Sequence, residues 1–221
     1  MQMFPLAKAF FERGFNAVLW DLRHHGNSTG AETYGKHEIG DVIRVVETIG
    51  ADPSVDPDRV ALLGFSLGAA MSLGAASADA ECRISGVVAD SAYGSLRDTG
   101  FWYVRLFGNI PRPIAWPAAF VMLSFGSWIS DLELDRLNPR DWATSVRAPV
   151  LVIHGEKDRQ VKPGSGQEIY MRLPEPTKEI WLVPDAGHTK AFFKNPAEYV
   201  DRVSTFLARA NRPTCLATAT D

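Results

Sequence analysis

Five short apolar runs, alternating with helix-like stretches, constrain this chain more than any other feature. Ala17–Trp20 runs into Asp21, Val60–Leu63 into Gly64, and Ile84–Ala89 into Asp90. Pro149–Ile153 runs into His154, and Glu179–Val183 into Pro184. Near-continuous runs of this length predict strands covered on both faces. Their alternation with helices predicts βαβ units around a parallel sheet. The expected helices are Leu6–Arg13, with Gly14 as a stop, then His37–Ile49, Leu67–Ala78, Gly166–Leu173 and Pro196–Ala208. In the second of these, Ile39, Val42, Ile43, Val46 and Ile49 recur at helical spacing. The fold class is therefore α/β, a doubly wound parallel sheet. A chain of 221 residues can close one such core without disulfides or a metal.

Between Ser95 and Ala148 the rhythm breaks, and aromatic residues and prolines take over. The expected organisation is a core of residues 1–94 and 148–210, an insertion of 95–147, and a frayed tail of 211–221 without a role. An insertion of that length is expected to fold as a lid over the carboxyl edge of the sheet, where open α/β sheets bind ligands. Its uncharged stretch Pro113–Ile129 is short for a membrane span, and Pro113 and Pro117 interrupt it. A lid or buried helix is the favoured reading, with contact to a membrane surface secondary.

The formal charge of −3 and the lack of any basic run argue against a nucleic-acid partner. The opening Met1–Pro5 lacks the basic and apolar regions of a secretory signal. Cys82 and Cys215 form neither metal-ligand spacing nor a disulfide framework, which reads as a reducing, cytoplasmic setting.

The local signal with most chemistry in it is Gly64-Phe65-Ser66-Leu67-Gly68. A tight strand-to-helix turn pushes such a serine into strained geometry, and glycines permit the close backbone approach. The helix start aims free N–H groups at the reacting centre, so the Leu67 N–H is the candidate oxyanion donor. A serine nucleophile needs a base and an orienting acid, which follow it in this architecture in the order acid, then histidine. Of five histidines, His188 has the order and the strand-end position that a base requires. Asp158, four residues past His154, is the favoured acid; Asp90 and Glu156 are its rivals. Asp185 reads as a turn residue before a glycine.

With these residues in view, the sequence resembles the α/β-hydrolase superfamily. Asp21-Leu22-Arg23-His24-His25-Gly26-Asn27-Ser28 resembles the family's D-x-R-x-H-G-x-S segment, His154–Asp158 its H-G-x-x-D segment, and Gly187-His188 its terminal G-H. The likeness runs from about Phe4 to Leu207 and is nearest to serine hydrolases with a small helical cap, similar to monoacylglycerol-lipase-like esterases and Bem46-like proteins. It implies a carboxylesterase working through Ser66, His188 and Asp158, without metal or organic cofactor, on a small-molecule ester. Small to medium apolar esters suit the aromatic insertion, with Phe65, Phe101, Trp102 and Trp116 as candidate substrate-binding residues. Peptide or amide cleavage, acyl transfer, or a binding protein that has lost its oxyanion loop are the alternatives. The resemblance also implies that Asp21, Arg23, His25 and Asn27 brace the loops around the site.

The same resemblance implies a further strand and an H-G loop ahead of the first helix, neither of which is visible here. An N-terminally truncated version of the fold is one expectation. Direct pairing of Ala17–Asp21 with Val60–Gly64 is the other.

Overall fold

The computed structural model describes residues 3–108, 113–114, 117, 119–121, 124, 137–162, 164–176, 178–213 and 215. Among these residues four parallel strands form one sheet in sequence order: β1 Ala61–Phe65, β2 Gly86–Asp90, β3 Val150–Gly155 and β4 Lys178–Val183. The described helices are α1 Phe4–Phe11, α2 Glu38–Gly50, α3 Leu67–Ala78, α4 Leu96–Gly108, α5 Pro139–Trp142, α6 Gly164–Arg172, α7 Ala191–Lys194 and α8 Pro196–Arg209. None of these is long and apolar enough to cross a membrane.

Alternation along the strands explains why both faces are covered. Val87, Ala89, Val150 and Val152 point to one face, where they pack with α2, α3 and α6. Val88, Leu151 and Ile153 point to the other, against α1, α7 and α8. Side chains of successive strand residues leave on opposite faces, so a continuous apolar run serves both layers at once. The small, apolar α3 is buried from Ala69 to Ala76, as a helix apolar on every side must be. Within the stretch expected to be an insertion, Leu137, Ala143 and Val146 are already buried. Ala143 and Val146 lie in the same cluster as α3, so the chain has rejoined the core before residue 147.

Two expectations need correction. Residues 15–20 form no strand, and β1 lies at the edge of the sheet. The Ser66 N–H donates to the Asp90 carbonyl and the Val60 carbonyl accepts from Ser85. Backbone groups of 60, 62, 64 and 66 therefore face β2, and those of Ala61, Leu63 and Phe65 face away. On that side lie cavities of about 200 and 300 Å³, which share Phe15, Asn16, Val18, Trp20, Arg59 and Ala61 in their walls. Residues 16–20 make no ladder with β1, so an apolar run with strand composition stays unpaired and half-exposed. Val18, Leu19 and Trp20 are among the exposed large apolar residues.

The second correction concerns the cysteines. Cys82 and Cys215 are joined in a disulfide across 133 residues of sequence. No local spacing signals such a bond, because the return of the chain after α8 brings the two together. The start of the tail is also anchored. Arg212 donates from Nε to the Cys82 carbonyl at 2.6 Å, from Nη2 to the Glu81 carbonyl at 2.9 Å and from Nη1 to Asp58 at 3.1 Å. Closing so long a loop restricts the unfolded chain, so Cys82→Ser is expected to lower unfolding stability by about 3–5 kcal/mol in urea titrations. Unreduced protein should show no titratable thiol, and two free thiols per chain would contradict the pairing.

Candidate functional site

The site stands at the carboxyl ends of β1, β2, β3 and β4, where the loops following the strands converge. Ser66 occupies the one-residue joint between β1 and α3, with φ 51° and ψ −113°. Non-glycine residues rarely adopt such angles, and strain of this kind persists only when the surroundings enforce it. Two features enforce it here. The Ser66 N–H is held by the Asp90 carbonyl at 2.9 Å. Gly64 lets the first turn of α3 press against β1: a Cβ at Gly64 would sit 2.3 Å from the Gly68 carbonyl oxygen and 2.6 Å from the Ala69 nitrogen. The need for glycine is one-sided, since a Cβ at Gly68 would meet nothing within 4 Å. Leu67 opens α3, so its N–H belongs to the first turn, which has no intrahelical acceptor.

His188 lies on the loop after β4. Its Nε2 accepts from the Ser66 hydroxyl at 2.9 Å, and its Nδ1–H donates to Asp158 Oδ2 at 2.7 Å. Asp158 follows β3 and is 2 % exposed. Its other oxygen accepts the Gln160 and Val161 N–H groups at 2.8 and 2.9 Å. These backbone donors hold the carboxylate in place and aim its remaining oxygen at the imidazole. The structure thus brings Ser66, His188 and Asp158 into one hydrogen-bonded chain.

The rival acids stand elsewhere. Glu156 is exposed. Asp185 is in a turn at φ 59° and pairs with Lys157 at 2.5 Å. Asp90 is fully buried but turns its carboxylate to Ser91 and Tyr199, which donate to it at 2.8 and 3.1 Å. Burial pushes Asp90 up to about 6, against the lowering pull of the two hydroxyls and of His188. His154 lies behind Asp158 with Nε2 3.6 Å from Oδ2, buried, and burial lowers its pKa, favouring the neutral ring.

The hydrogen bonds of segment 21–28 are internal or run to α2. Arg23 reaches Asp41 of α2 at 2.7 Å, Ser28 donates to the Asp21 carbonyl at 2.8 Å, and the Asn27 N–H donates to the Asp21 carboxylate at 3.4 Å. His25 Nδ1 bonds the Arg23 carbonyl at 3.0 Å.

The expected substrate-binding residues fare differently. Phe65 is corrected: its ring stacks on Tyr199, 6.4 Å between centroids and 13° between planes, so it packs into the core. Alternation along β1 sends Phe65 to the same face as Leu63, beneath the site. Trp102 donates from Nε1 to the Arg159 carbonyl at 2.9 Å, which fastens α4 to the loop carrying Asp158. Phe101 is half-buried on the same helix. Trp116 lies outside the described residues. Residue-by-residue reading missed Tyr103 on α4, whose hydroxyl is raised by burial and by the Asp158 charge. It also missed the link from Ser91 to the Thr189 N–H at 3.1 Å. Three consecutive aromatic positions in α4, Phe101, Trp102 and Tyr103, give no local sign of which one lies nearest Asp158.

At 29% identity and a TM-score of 0.73, the structure is similar to an esterase from Pyrococcus furiosus, covering 94% of this chain and 75% of that one. A structure of DcsB in complex with its substrate analogue shares the fold at 22% identity and a TM-score of 0.74, with 95% and 86% covered. Among curated proteins, uncharacterized YqkD of Bacillus subtilis is 24% identical over 206 residues, 93% of this chain and 66% of its own length. Uncharacterized YfhR of Escherichia coli K12 is 24% identical over 211 residues, again 66% of its length. The chain thus spans just under two thirds of these curated relatives. The model of the "Alpha/beta hydrolase family" matches residues 2–202. That span holds the whole sheet, the strained serine and both of its hydrogen-bonded partners, and the chain belongs to the alpha/beta hydrolase family.

Proposed function

We propose that this chain is a serine hydrolase, a carboxylesterase acting on small to medium apolar esters. The observation that supports it most is the unbroken chain from the Ser66 hydroxyl through His188 to Asp158, at 2.9 and 2.7 Å. Ser66 Oγ attacks the ester carbonyl while His188 Nε2 takes its proton. Asp158 holds the imidazole in the required tautomer and stabilises its charged form. The Leu67 N–H, at the positive end of α3, donates to the developing oxyanion. His188 returns the proton to the leaving alcohol, and water then cleaves the acyl-serine by the same route in reverse. Neither step calls for a metal or an organic cofactor.

The apolar preference rests on α4, which carries Phe101, Trp102 and Tyr103 and is tied to the Asp158 loop. Such a wall favours an alkyl or acyl chain over a charged group. The cytoplasmic expectation leaned on unpaired cysteines, and the Cys82–Cys215 bond removes that support, since disulfides persist mainly in oxidising compartments.

The test is a p-nitrophenyl ester series from acetate to decanoate. The expected result is kcat/KM rising about ten- to twentyfold per two added methylenes up to a medium chain, then falling, as burial of about 0.8 kcal/mol per methylene predicts. A flat profile, or a preference for charged acyl groups, would overturn the apolar assignment. Failure of a fluorophosphonate to label the protein would overturn the enzyme reading itself.

A further inference from the structure

We propose that Asp90 is a positioning residue for the reaction: its carbonyl fixes the nucleophile, and its carboxylate, acting through Ser91, fixes the loop that carries the base. The proposal rests on the serine-hydrolase reading above and adds to it a buried acid that stands outside the hydrogen-bonded chain of Ser66, His188 and Asp158.

Asp90 is the last residue of β2, which lies between the strand that ends at Ser66 and the strand that precedes Asp158. Its backbone carbonyl accepts the Ser66 N–H at 2.9 Å. Oδ1 accepts from the Ser91 hydroxyl at 2.8 Å, and Ser91 Oγ in turn accepts the Thr189 N–H at 3.1 Å. The Ser91 N–H is anchored on the Ile153 carbonyl of β3 at 2.8 Å. Thr189 is the residue after His188, so this short relay ends one peptide bond from the imidazole.

The geometry along that relay is strained. Ser91 has φ 59° and Thr189 has φ 55°, a region that β-branched threonine in particular avoids. Hydrogen bonds must hold both residues there. A serine hydroxyl has one proton to give. Beside a carboxylate that proton goes to Oδ1, which leaves an oxygen lone pair facing the Thr189 N–H. Protonation of Asp90 removes that preference, and the hydroxyl is free to turn its proton toward Thr189.

The groups facing Asp90 are Tyr199 from α8, Ser91 beside it, and His188 and Asp158 from the two loops. His154 on β3 faces Asp158. Burial, reinforced by Asp158, raises Asp90 to about 6 against its hydroxyl donors and His188. The relay is therefore set at neutral pH and loosens in mild acid. A fully buried carboxylate is costly, and two hydroxyl donors are a poor reason to keep one. Holding charge beside a base gives it a use.

The experiment compares wild type, Asp90→Asn and Ser91→Ala as full chains, with p-nitrophenyl butyrate as probe. Both variants are expected to lose about tenfold or more in kcat, with KM little changed, because a misplaced base slows chemistry without weakening binding. Asp90→Asn also removes a negative charge that favours the protonated imidazole, so its acid limb in kcat/KM moves to lower pH by roughly half a unit or more. Ser91→Ala keeps the charge and leaves the limb in place. Exchange of the Thr189 amide, read by hydrogen exchange, accelerates about tenfold in both variants. Wild-type kcat and an unmoved limb in Asp90→Asn would overturn the proposal. So would Thr189 exchange at the wild-type rate in Ser91→Ala, the variant that carries the test if Asp90→Asn does not fold. If wild type neither hydrolyses esters nor labels, the esterase reading fails, while Thr189 exchange still decides the relay.

Discussion

Ser66→Ala is expected to lower ester turnover by about five orders of magnitude and to abolish fluorophosphonate labelling, with the fold unchanged. The size follows from what a single atom does here. On the proposed mechanism, removal of Oγ leaves no covalent intermediate, and His188 has no hydroxyl to deprotonate. The residue at position 66 keeps its N–H on the Asp90 carbonyl, and alanine brings no larger side chain to the turn, so stability should change little. Asp158→Asn is expected to fall nearly as far, about 10⁴-fold, because an amide can present its N–H₂ to Nδ1 and favour the wrong tautomer. Steady-state kinetics with a p-nitrophenyl ester, alongside active-site labelling, reads both. Residual Ser66→Ala activity within tenfold of wild type would mean that another group performs the chemistry.

Gly64→Ala is expected to cost about 3–5 kcal/mol of stability, enough to leave the chain largely unfolded or insoluble. The added Cβ would lie 2.3 Å from the Gly68 carbonyl oxygen and 2.4 Å from its carbon. These are backbone atoms of the first turn of α3, so no side chain can rotate away to make room. The only relief is to lift α3 off β1, and that helix is buried from Ala69 to Ala76. Gly68→Ala is the control: a Cβ there meets nothing within 4 Å. Alanine is also the better helix former by about 1 kcal/mol, so this variant should be neutral or slightly stabilised. Urea titrations of the two proteins measure the contrast. Equal midpoints would mean that the close approach of strand and helix does not constrain this joint.

Most of the sheet was legible because strands and helices are announced locally. Runs such as Val150–Ile153 and the helical spacing from Ile39 to Ile49 depend on residues within a few positions of one another, and they fall in β3 and α2 as expected. The positions of Ser66, His188 and Asp158 were legible for a related reason. In a parallel sheet, residues just past the carboxyl ends of strands share one rim, so order along the chain translates into place. The run Ala17–Trp20 misled because composition gives a segment the capacity to be a strand, while only a neighbour within hydrogen-bonding distance makes it one. Phe65 misled because the elbow signal says nothing about which face its flanking side chains take.

What the sequence determined by itself, then, is the alternation of apolar runs and amphipathic stretches, the strand-to-helix joint at Ser66, and the order of groups that could serve it. Those are short-range properties, fixed by side-chain shape and backbone freedom within a turn or two. The tertiary structure alone decided that Asp158 faces His188 while Asp90 faces Ser91 and Tyr199. It alone joined Cys82 to Cys215 and left β1 at the edge of the sheet. Each of these is a meeting of residues remote in sequence. Such meetings depend on where every intervening strand and loop has been packed, and no local pattern encodes that.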